Sequence, residues 1–163
     1  MKLLSFRRVY FLAFLLCCVL LGVALFLEYD QGIEPCLLCM MQRMIVLVLG
    51  AIFLIASLHP HNRPSRWSYN VVLMLLAVLG LASALRQVWL QHLPPSTQAY
   101  CVPGYSFLVK TAAWKTLFKY LIIGTPECSR VEWHFLGLSI AQWSVGFFIF
   151  FILVILWQML RKN

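Results

Sequence analysis

Four long apolar stretches, separated by short polar segments and one long connection, define the pattern of this chain. Each stretch comes close to the 17 to 25 apolar residues that a helix needs to cross a bilayer. The predicted spans are about 9–27, 39–58, 69–90 and 142–160. We therefore predict an all-α membrane protein, in which the whole chain, 1–163, forms one four-transmembrane-helix bundle as a single integral membrane domain.

Two predicted loops, about 28–38 and 91–141, leave the bundle on the same side of the membrane. The longer loop contains a stretch whose large apolar residues fall on one helical face and whose lysines fall on another: Trp114, Leu117, Phe118, Leu121 and Ile122 against Lys115 and Lys119. That pattern is typical of an amphipathic helix lying in the plane of the membrane surface. We expect an interfacial helix within the long loop.

Composition and charge support this assignment and predict the orientation of the protein in the membrane. The chain is 63% hydrophobic and 11% charged, which is too apolar for a soluble core of this size. Seven cations and no acidic residue lie on the side of the two termini: Lys2, Arg7, Arg8, Arg63, Arg66, Arg161 and Lys162. All five acidic residues lie opposite, so the positive-inside rule predicts cytoplasmic termini and a periplasmic long loop in a bacterial inner membrane. The net charge of +8 reflects this topology and attraction to the membrane surface, and needs no nucleic acid partner.

Three of the six cysteines, Cys36, Cys101 and Cys128, lie in the predicted outer loops, and Cys39 lies at the outer end of the second span. On that side of the membrane disulfides persist in an oxidising compartment. Cys36 and Cys39 are separated by two residues and follow Pro35 at the expected start of the second helix. A bond between them would close so small a loop that it would brace little of the unfolded chain. A Cys-x-x-Cys pair at a helix start instead favours a reactive thiolate, so we expect thiol chemistry there.

Two arginines near the membrane edge extend this candidate site. Arg43 follows Cys39 by four residues and therefore shares its helical face. Arg86 lies near the outer end of the third span and is followed by Gln91 and His92. A cation in or beside the hydrocarbon is costly enough to suggest a functional site. Cys17 and Cys18 lie inside the first span, where we expect them to behave as small hydrophobic residues.

These residues together resemble the DsbB family of bacterial disulfide bond formation proteins. The resemblance rests on Pro35-Cys36-Leu37-Leu38-Cys39 with Arg43, on the later Cys101 and Cys128, and on Trp133-His134-Phe135-Leu136-Gly137-Leu138 followed by Gln142-Trp143. It runs from the first span to the fourth. The vitamin K epoxide reductase family also combines a helical bundle with quinone chemistry, but the order of the cysteines fits DsbB better.

The resemblance implies a membrane oxidoreductase that reoxidises the periplasmic dithiol oxidase DsbA. The electrons would pass to ubiquinone, or to menaquinone when oxygen is scarce, with the respiratory chain as an indirect partner. In the family, reduced DsbA attacks the loop disulfide, here Cys101 to Cys128, at Cys101. Cys128 then exchanges with Cys36 and frees Cys39 as a thiolate against the quinone ring, while Arg43 stabilises that thiolate and the quinone oxygen. A quinone-side role also extends to Arg86, Gln91 and His92.

Two other functions are compatible with the same residues. A structural four-span membrane protein would carry two inert loop disulfides, although such a brace has no need of Arg43 beside a tight cysteine pair. A metal site could use Cys36, Cys39 and His92 as ligands. Against it stands the wide separation of Cys101 from Cys128. We therefore expect redox-active cysteines and no metal.

Overall fold

The computed structural model describes residues 6–31, 37–59, 63–92, 134–135 and 137–160. Within these residues the chain forms four long helices: α1 (Phe6–Gln31), α2 (Leu37–Leu58), α3 (Arg63–Gln91) and α4 (Ile140–Leu160). Each is long and apolar enough to cross a membrane, and each predicted span lies within one of them. The prediction of a helical membrane protein with four spans is confirmed. The predicted interfacial helix lies outside the described residues.

Consecutive helices pack against each other and run in opposite directions. Near the start of α1, the Arg7 Nε donates a hydrogen bond of 2.9 Å to the Ser57 carbonyl near the end of α2. Gln42, early in α2, is hydrogen-bonded to Gln87, late in α3. The bundle therefore has two distinct ends. We call the one that contains Glu28, Cys39, Gln87 and Ser139 the cysteine end.

A line of aromatic rings joins the helices in the middle of the bundle. The ring centroids of Tyr10 and Phe53 lie 6.1 Å apart, and those of Phe53 and Phe151 lie 5.9 Å apart. The Tyr10 hydroxyl donates a buried hydrogen bond of 2.8 Å to the Asn70 Oδ1, which ties α1 to α3. Lipid tails are as apolar as leucine, so close packing and interhelical hydrogen bonds of this kind hold a membrane bundle together.

The outward faces of the helices are apolar as well, as lipid contact requires. Large exposed hydrophobic side chains occur on every long helix, for example Phe26, Leu47, Leu75 and Leu153. A soluble protein would rarely expose so much contiguous apolar surface. The distribution agrees with a bundle surrounded by hydrocarbon rather than water.

A short hairpin leads directly into α4 at the cysteine end. Its strands, β1 (His134–Phe135) and β2 (Leu138–Ser139), pair antiparallel, and Gly137 adopts a φ of 79° in the turn between them. Glycine accepts this left-handed conformation without a Cβ clash. Ser139 and Gln142 then cap α4 reciprocally: the Ser139 N–H donates to the Gln142 Oε1 at 2.8 Å, and the Gln142 N–H donates to the Ser139 Oγ at 3.4 Å. This is a capping box, which fixes where α4 begins.

Close contact between α3 and α4 depends on a glycine. A Cβ added at Gly80 would overlap the ring of Phe148, whose side chain is buried. Small residues at helix contacts let membrane helices approach closely. Gly80 is therefore the position at which α3 accepts the Phe148 ring.

Replacing Gly80 with alanine should destabilise the bundle, because the Phe148 ring must leave its present position. Overpacking of this kind costs roughly 1 to 3 kcal/mol. Thermal unfolding of the detergent-solubilised protein would measure the loss. Gly146→Ala is the matched control, since a Cβ at Gly146 meets no atom within 4 Å. Equal unfolding temperatures for Gly80→Ala and the parent would show that α4 does not need this close approach.

Candidate functional site

Five of the eight residues predicted for the site lie within the described part of the chain: Cys39, Arg43, Arg86, Gln91 and His92. All five lie at the cysteine end, on the first turns of α2 and the last turns of α3. Cys36, Cys101 and Cys128 lie outside the described residues. The site can therefore be built around the Cys39 sulfur.

The Cys39 sulfur lies at the start of α2 in largely apolar surroundings. Cys39 is the third residue of the helix, where unpaired backbone amides favour a nearby negative charge. Leu38 beside it is fully buried and packs against Cys39 and Leu90. The carboxamide of Gln87 on α3 donates a hydrogen bond to the sulfur, with a distance of 3.1 Å from the Nε2 to the Sγ. These contacts place the Cys39 sulfur at the interface of α2 with α3.

A second carboxamide holds the first in place. The Gln42 Nε2 donates a hydrogen bond of 2.8 Å to the Gln87 Oε1, and both side chains are buried. Gln42 follows Cys39 by three residues, so the two side chains lie on neighbouring positions of one face of α2. The result is a chain of hydrogen bonds that runs from Gln42 through Gln87 to the sulfur. We call these three residues the amide chain.

Arg43 points toward α1, on the other side of α2 from the amide chain. Its guanidinium forms an ion pair with the Glu28 carboxylate and donates a hydrogen bond of 3.1 Å to the Ala24 carbonyl. A weaker contact joins it to the Met40 Sδ at 3.9 Å. Both charged side chains are only about one quarter exposed, at 22% for Arg43 and 28% for Glu28. The sequence placed Arg43 one turn from Cys39, and the structure adds that its charge is shared with α1.

The three remaining residues lie at the end of α3 and make different contacts. The Arg86 guanidinium lies 5.9 Å from the centre of the Trp89 ring. Gln91 accepts a hydrogen bond of 3.0 Å from the Ser139 hydroxyl, which ties α3 to the start of α4. The exposed His92 ring contacts the Val88 carbonyl through its Nδ1 at 2.8 Å. Gln91 therefore has a structural contact in addition to its predicted place at the site.

Sequence reasoning missed the two glutamines of the amide chain. Gln42 directly precedes Arg43 and Gln87 directly follows Arg86, but neither glutamine is assigned a role from the sequence. A signal for both exists in the sequence, because a polar side chain inside an apolar span is expensive and usually faces the bundle interior. The three-residue spacing of Cys39 and Gln42 would have placed that amide on the cysteine's face.

The contacts at the cysteine end favour a reactive Cys39 sulfur. A hydrogen-bond donor directed at the sulfur stabilises the thiolate more than the neutral thiol, and the thiolate is the nucleophile in thiol exchange. The buried Leu38 packs directly against Cys39 and supplies an apolar neighbour. The arrangement is therefore suited to a cysteine that alternates between bonded and thiolate states.

Comparison with known proteins agrees with this chemistry. The family model for "Disulfide bond formation protein DsbB" matches residues 6–158. Similar curated proteins include disulfide bond formation protein B of Stutzerimonas stutzeri, 35% identical with all of both chains covered. The protein of that name from Nitrosococcus oceani is 37% identical, with 98% of this chain and 95% of the relative covered. The one from Acinetobacter baumannii is 38% identical, with 97% and 93% covered.

These matches extend from the first helix to the last and include every described residue of the site. They confirm the predicted class of function, a membrane disulfide oxidoreductase that serves a DsbA-type thiol oxidase. The four apolar helices and the hydrogen bond to the Cys39 sulfur agree with that class. The chain belongs to the DsbB family of disulfide bond formation proteins.

Proposed function

We propose that the chain reoxidises a periplasmic DsbA-type dithiol oxidase and passes the two electrons to a membrane quinone, ubiquinone or, without oxygen, menaquinone. One observation carries the proposal: the Cys39 sulfur accepts a hydrogen bond from Gln87 at the edge of a membrane bundle, beside the buried Leu38. A purely structural cysteine needs neither a donor nor this position. The proposal places the cysteine end on the periplasmic side of a bacterial inner membrane and both termini in the cytoplasm.

The residues around Cys39 fit a quinone. A quinone head group needs apolar walls for its ring and hydrogen-bond donors for its two oxygens. Leu38 and Leu90 supply apolar surface next to the sulfur. Arg43 brings a cation to the next turn of α2, and Arg86 lies beside Gln87 on α3. When bound, the quinone supplies a sink for two electrons and two protons.

The proposed exchange conserves sulfur bonds and electrons. A thiolate of the reduced oxidase attacks Cys101, breaks the Cys101–Cys128 bond and releases Cys128 as a thiolate. Cys128 then attacks Cys36, which frees Cys39 as a thiolate. The second thiolate of the oxidase displaces Cys101, and the Cys101 thiolate then attacks Cys128, which restores the loop disulfide and releases Cys36 as a thiolate. The net result is an oxidised partner and a Cys36 and Cys39 pair reduced by two electrons.

Within this scheme, the residues that the structure describes stabilise Cys39, the sulfur that is released when Cys128 attacks Cys36. The amide chain donates to the sulfur, and the helix start adds a favourable field. Each lowers the cost of releasing Cys39 as a thiolate in apolar surroundings. Arg86, Gln91 and His92 line the end of α3 near this point and are proposed to contact the quinone side of the site.

Replacing Cys39 with serine should abolish quinone reduction but leave the first exchange intact. We expect the parent protein, mixed with reduced DsbA and ubiquinone in detergent, to form quinol, and Cys39→Ser to form none. The variant should still trap a mixed disulfide with DsbA, whereas Cys101→Ser should not. Absence of turnover by the parent with either quinone, with both disulfides intact, would favour the structural four-span protein. Zinc bound to the reduced protein would favour the metal site.

Removing the Arg43 cation should weaken use of the quinone more than use of DsbA. We expect Arg43→Ala to raise the KM for quinone about tenfold, the effect of losing one charge-assisted hydrogen bond. The KM for reduced DsbA should change less than twofold. Steady-state assays that vary each substrate in turn would separate the two.

Glu28→Gln is the matched control for Arg43→Ala, because it breaks the same ion pair but keeps the cation. Its KM for quinone should remain close to that of the parent. An equal rise in both variants would contradict a direct role for Arg43 and would assign the effect to the contact between α1 and α2.

A further inference from the structure

The two hydrogen bonds of the amide chain run in one donor-to-acceptor direction, and Gln42 determines that direction. A carboxamide has a donor end and an acceptor end, and Gln87 uses both at once. Its Oε1 accepts the hydrogen bond from the Gln42 Nε2 at 2.8 Å, while its Nε2 donates to the Cys39 Sγ at 3.1 Å. We propose that Gln42 is a positioning residue that keeps the amino group of Gln87 turned toward the sulfur. This rests on the proposed function, in which Cys39 is the sulfur that becomes a thiolate.

The burial of both glutamine side chains stabilises this direction of the hydrogen bonds. Gln42 is 7% exposed and Gln87 is 5% exposed, so little water can take the place of either partner. An unpaired amide group in such a place carries a desolvation penalty. Rotating the Gln87 carboxamide by half a turn would put its oxygen against the sulfur and its amino group against the Gln42 amino group. Against a thiolate, which can only accept, and with Gln42 in its present orientation, both contacts would be repulsive, so the observed orientation is the one that directs a donor at the charged sulfur.

The chemical consequence appears when Cys39 is a thiolate. The Gln87 amino group stabilises the negative charge through its N–H dipole, whereas a carbonyl oxygen in its place would oppose it. Arg43 is one turn from the sulfur, but its guanidinium is engaged with Glu28 and the Ala24 carbonyl on α1. The neutral donor from α3 therefore makes a direct contribution that the cation does not replace.

The residue at position 42 must donate for this arrangement to hold. Leucine is close to glutamine in size but has no hydrogen-bond donor, and it adds no charge beside the sulfur. In Gln42→Leu, the Gln87 carboxamide would lose the contact that fixes its orientation. The substitution should thus free Gln87 to turn with little change in packing. Gln87→Leu removes the donor outright.

The test measures the reactivity of Cys39 in the fully reduced full-length protein, without any quinone or partner. The detergent-solubilised protein is treated with iodoacetamide at neutral pH, and alkylation is assigned to Cys39 by fragment-ion sequencing of its peptide, which separates it from Cys36 on the same peptide. We expect about tenfold slower alkylation in Gln87→Leu, the effect of losing a hydrogen bond to a charged group, and about threefold slower alkylation in Gln42→Leu, where the donor remains but is no longer held in place. Gln158→Leu is the matched control, because Gln158 is also buried but lies near the other end of the bundle.

Each outcome decides the proposal. Slow alkylation in both variants at positions 42 and 87, with Gln158→Leu within twofold of the parent, supports it. Unchanged alkylation in Gln42→Leu overturns the role of Gln42, even if Gln87→Leu is slow. Slowing in all three variants also overturns it, because the effect would then be a general loss of packing. Quinol formation by the parent protein is a separate assay, so a failure here is distinguishable from a failure of the proposed function.

Discussion

The hydrogen bond between Gln42 and Gln87 is the interaction on which the cysteine end depends. Hydrogen bonds between membrane helices contribute only about 1 kcal/mol on average, so this one matters for position more than for strength. A slip of α3 by one turn would move Gln87 by about 5.4 Å along the bundle. That shift would break both its 2.8 Å contact with Gln42 and its 3.1 Å contact with the sulfur. The paired amides therefore fix the register of α2 against α3 beside the Cys39 sulfur.

The apolar middle of the bundle supports that register from a distance. Phe148 packs where Gly80 leaves room, and Gly80 lies seven residues before Gln87 on α3, about 10 Å along the axis. The Phe53 ring contacts both Tyr10 and Phe151, so α1, α2 and α4 meet near one level. At the cysteine end, the Ser139 hydroxyl then joins the start of α4 to Gln91 of α3. Tight packing in the middle and polar contacts at the end thus specify one arrangement of the four helices.

The four helices could be predicted from the sequence, because a bilayer requires a certain length and an apolar composition of every helix that spans it. Every span predicted from hydropathy lies within an observed helix, and the helices extend a few residues further, as with α3, which begins at Arg63. Contacts between helices were harder to predict, because spacing along one helix shows which residues share a face but not which helix that face meets. Arg43 was assigned to Cys39 by spacing, yet its ion pair with Glu28 joins α2 to α1. The link from Cys39 to Gln87 spans 48 residues of sequence, and no periodic pattern within one helix encodes it.

Arg43 is paired with Glu28, whereas Gln87 donates directly to the Cys39 sulfur. This arrangement suits the proposed role of Cys39 as a sulfur that reacts repeatedly. A bare cation next to Cys39 would stabilise the thiolate strongly, but a strongly stabilised thiolate is also a weaker nucleophile. Glu28 offsets much of the Arg43 charge, because an ion pair presents a far smaller field to its surroundings than a lone guanidinium. A neutral amide donor at 3.1 Å then provides a moderate and directional stabilisation. Such a sulfur can leave as a thiolate during exchange and still react readily when its electrons are passed on.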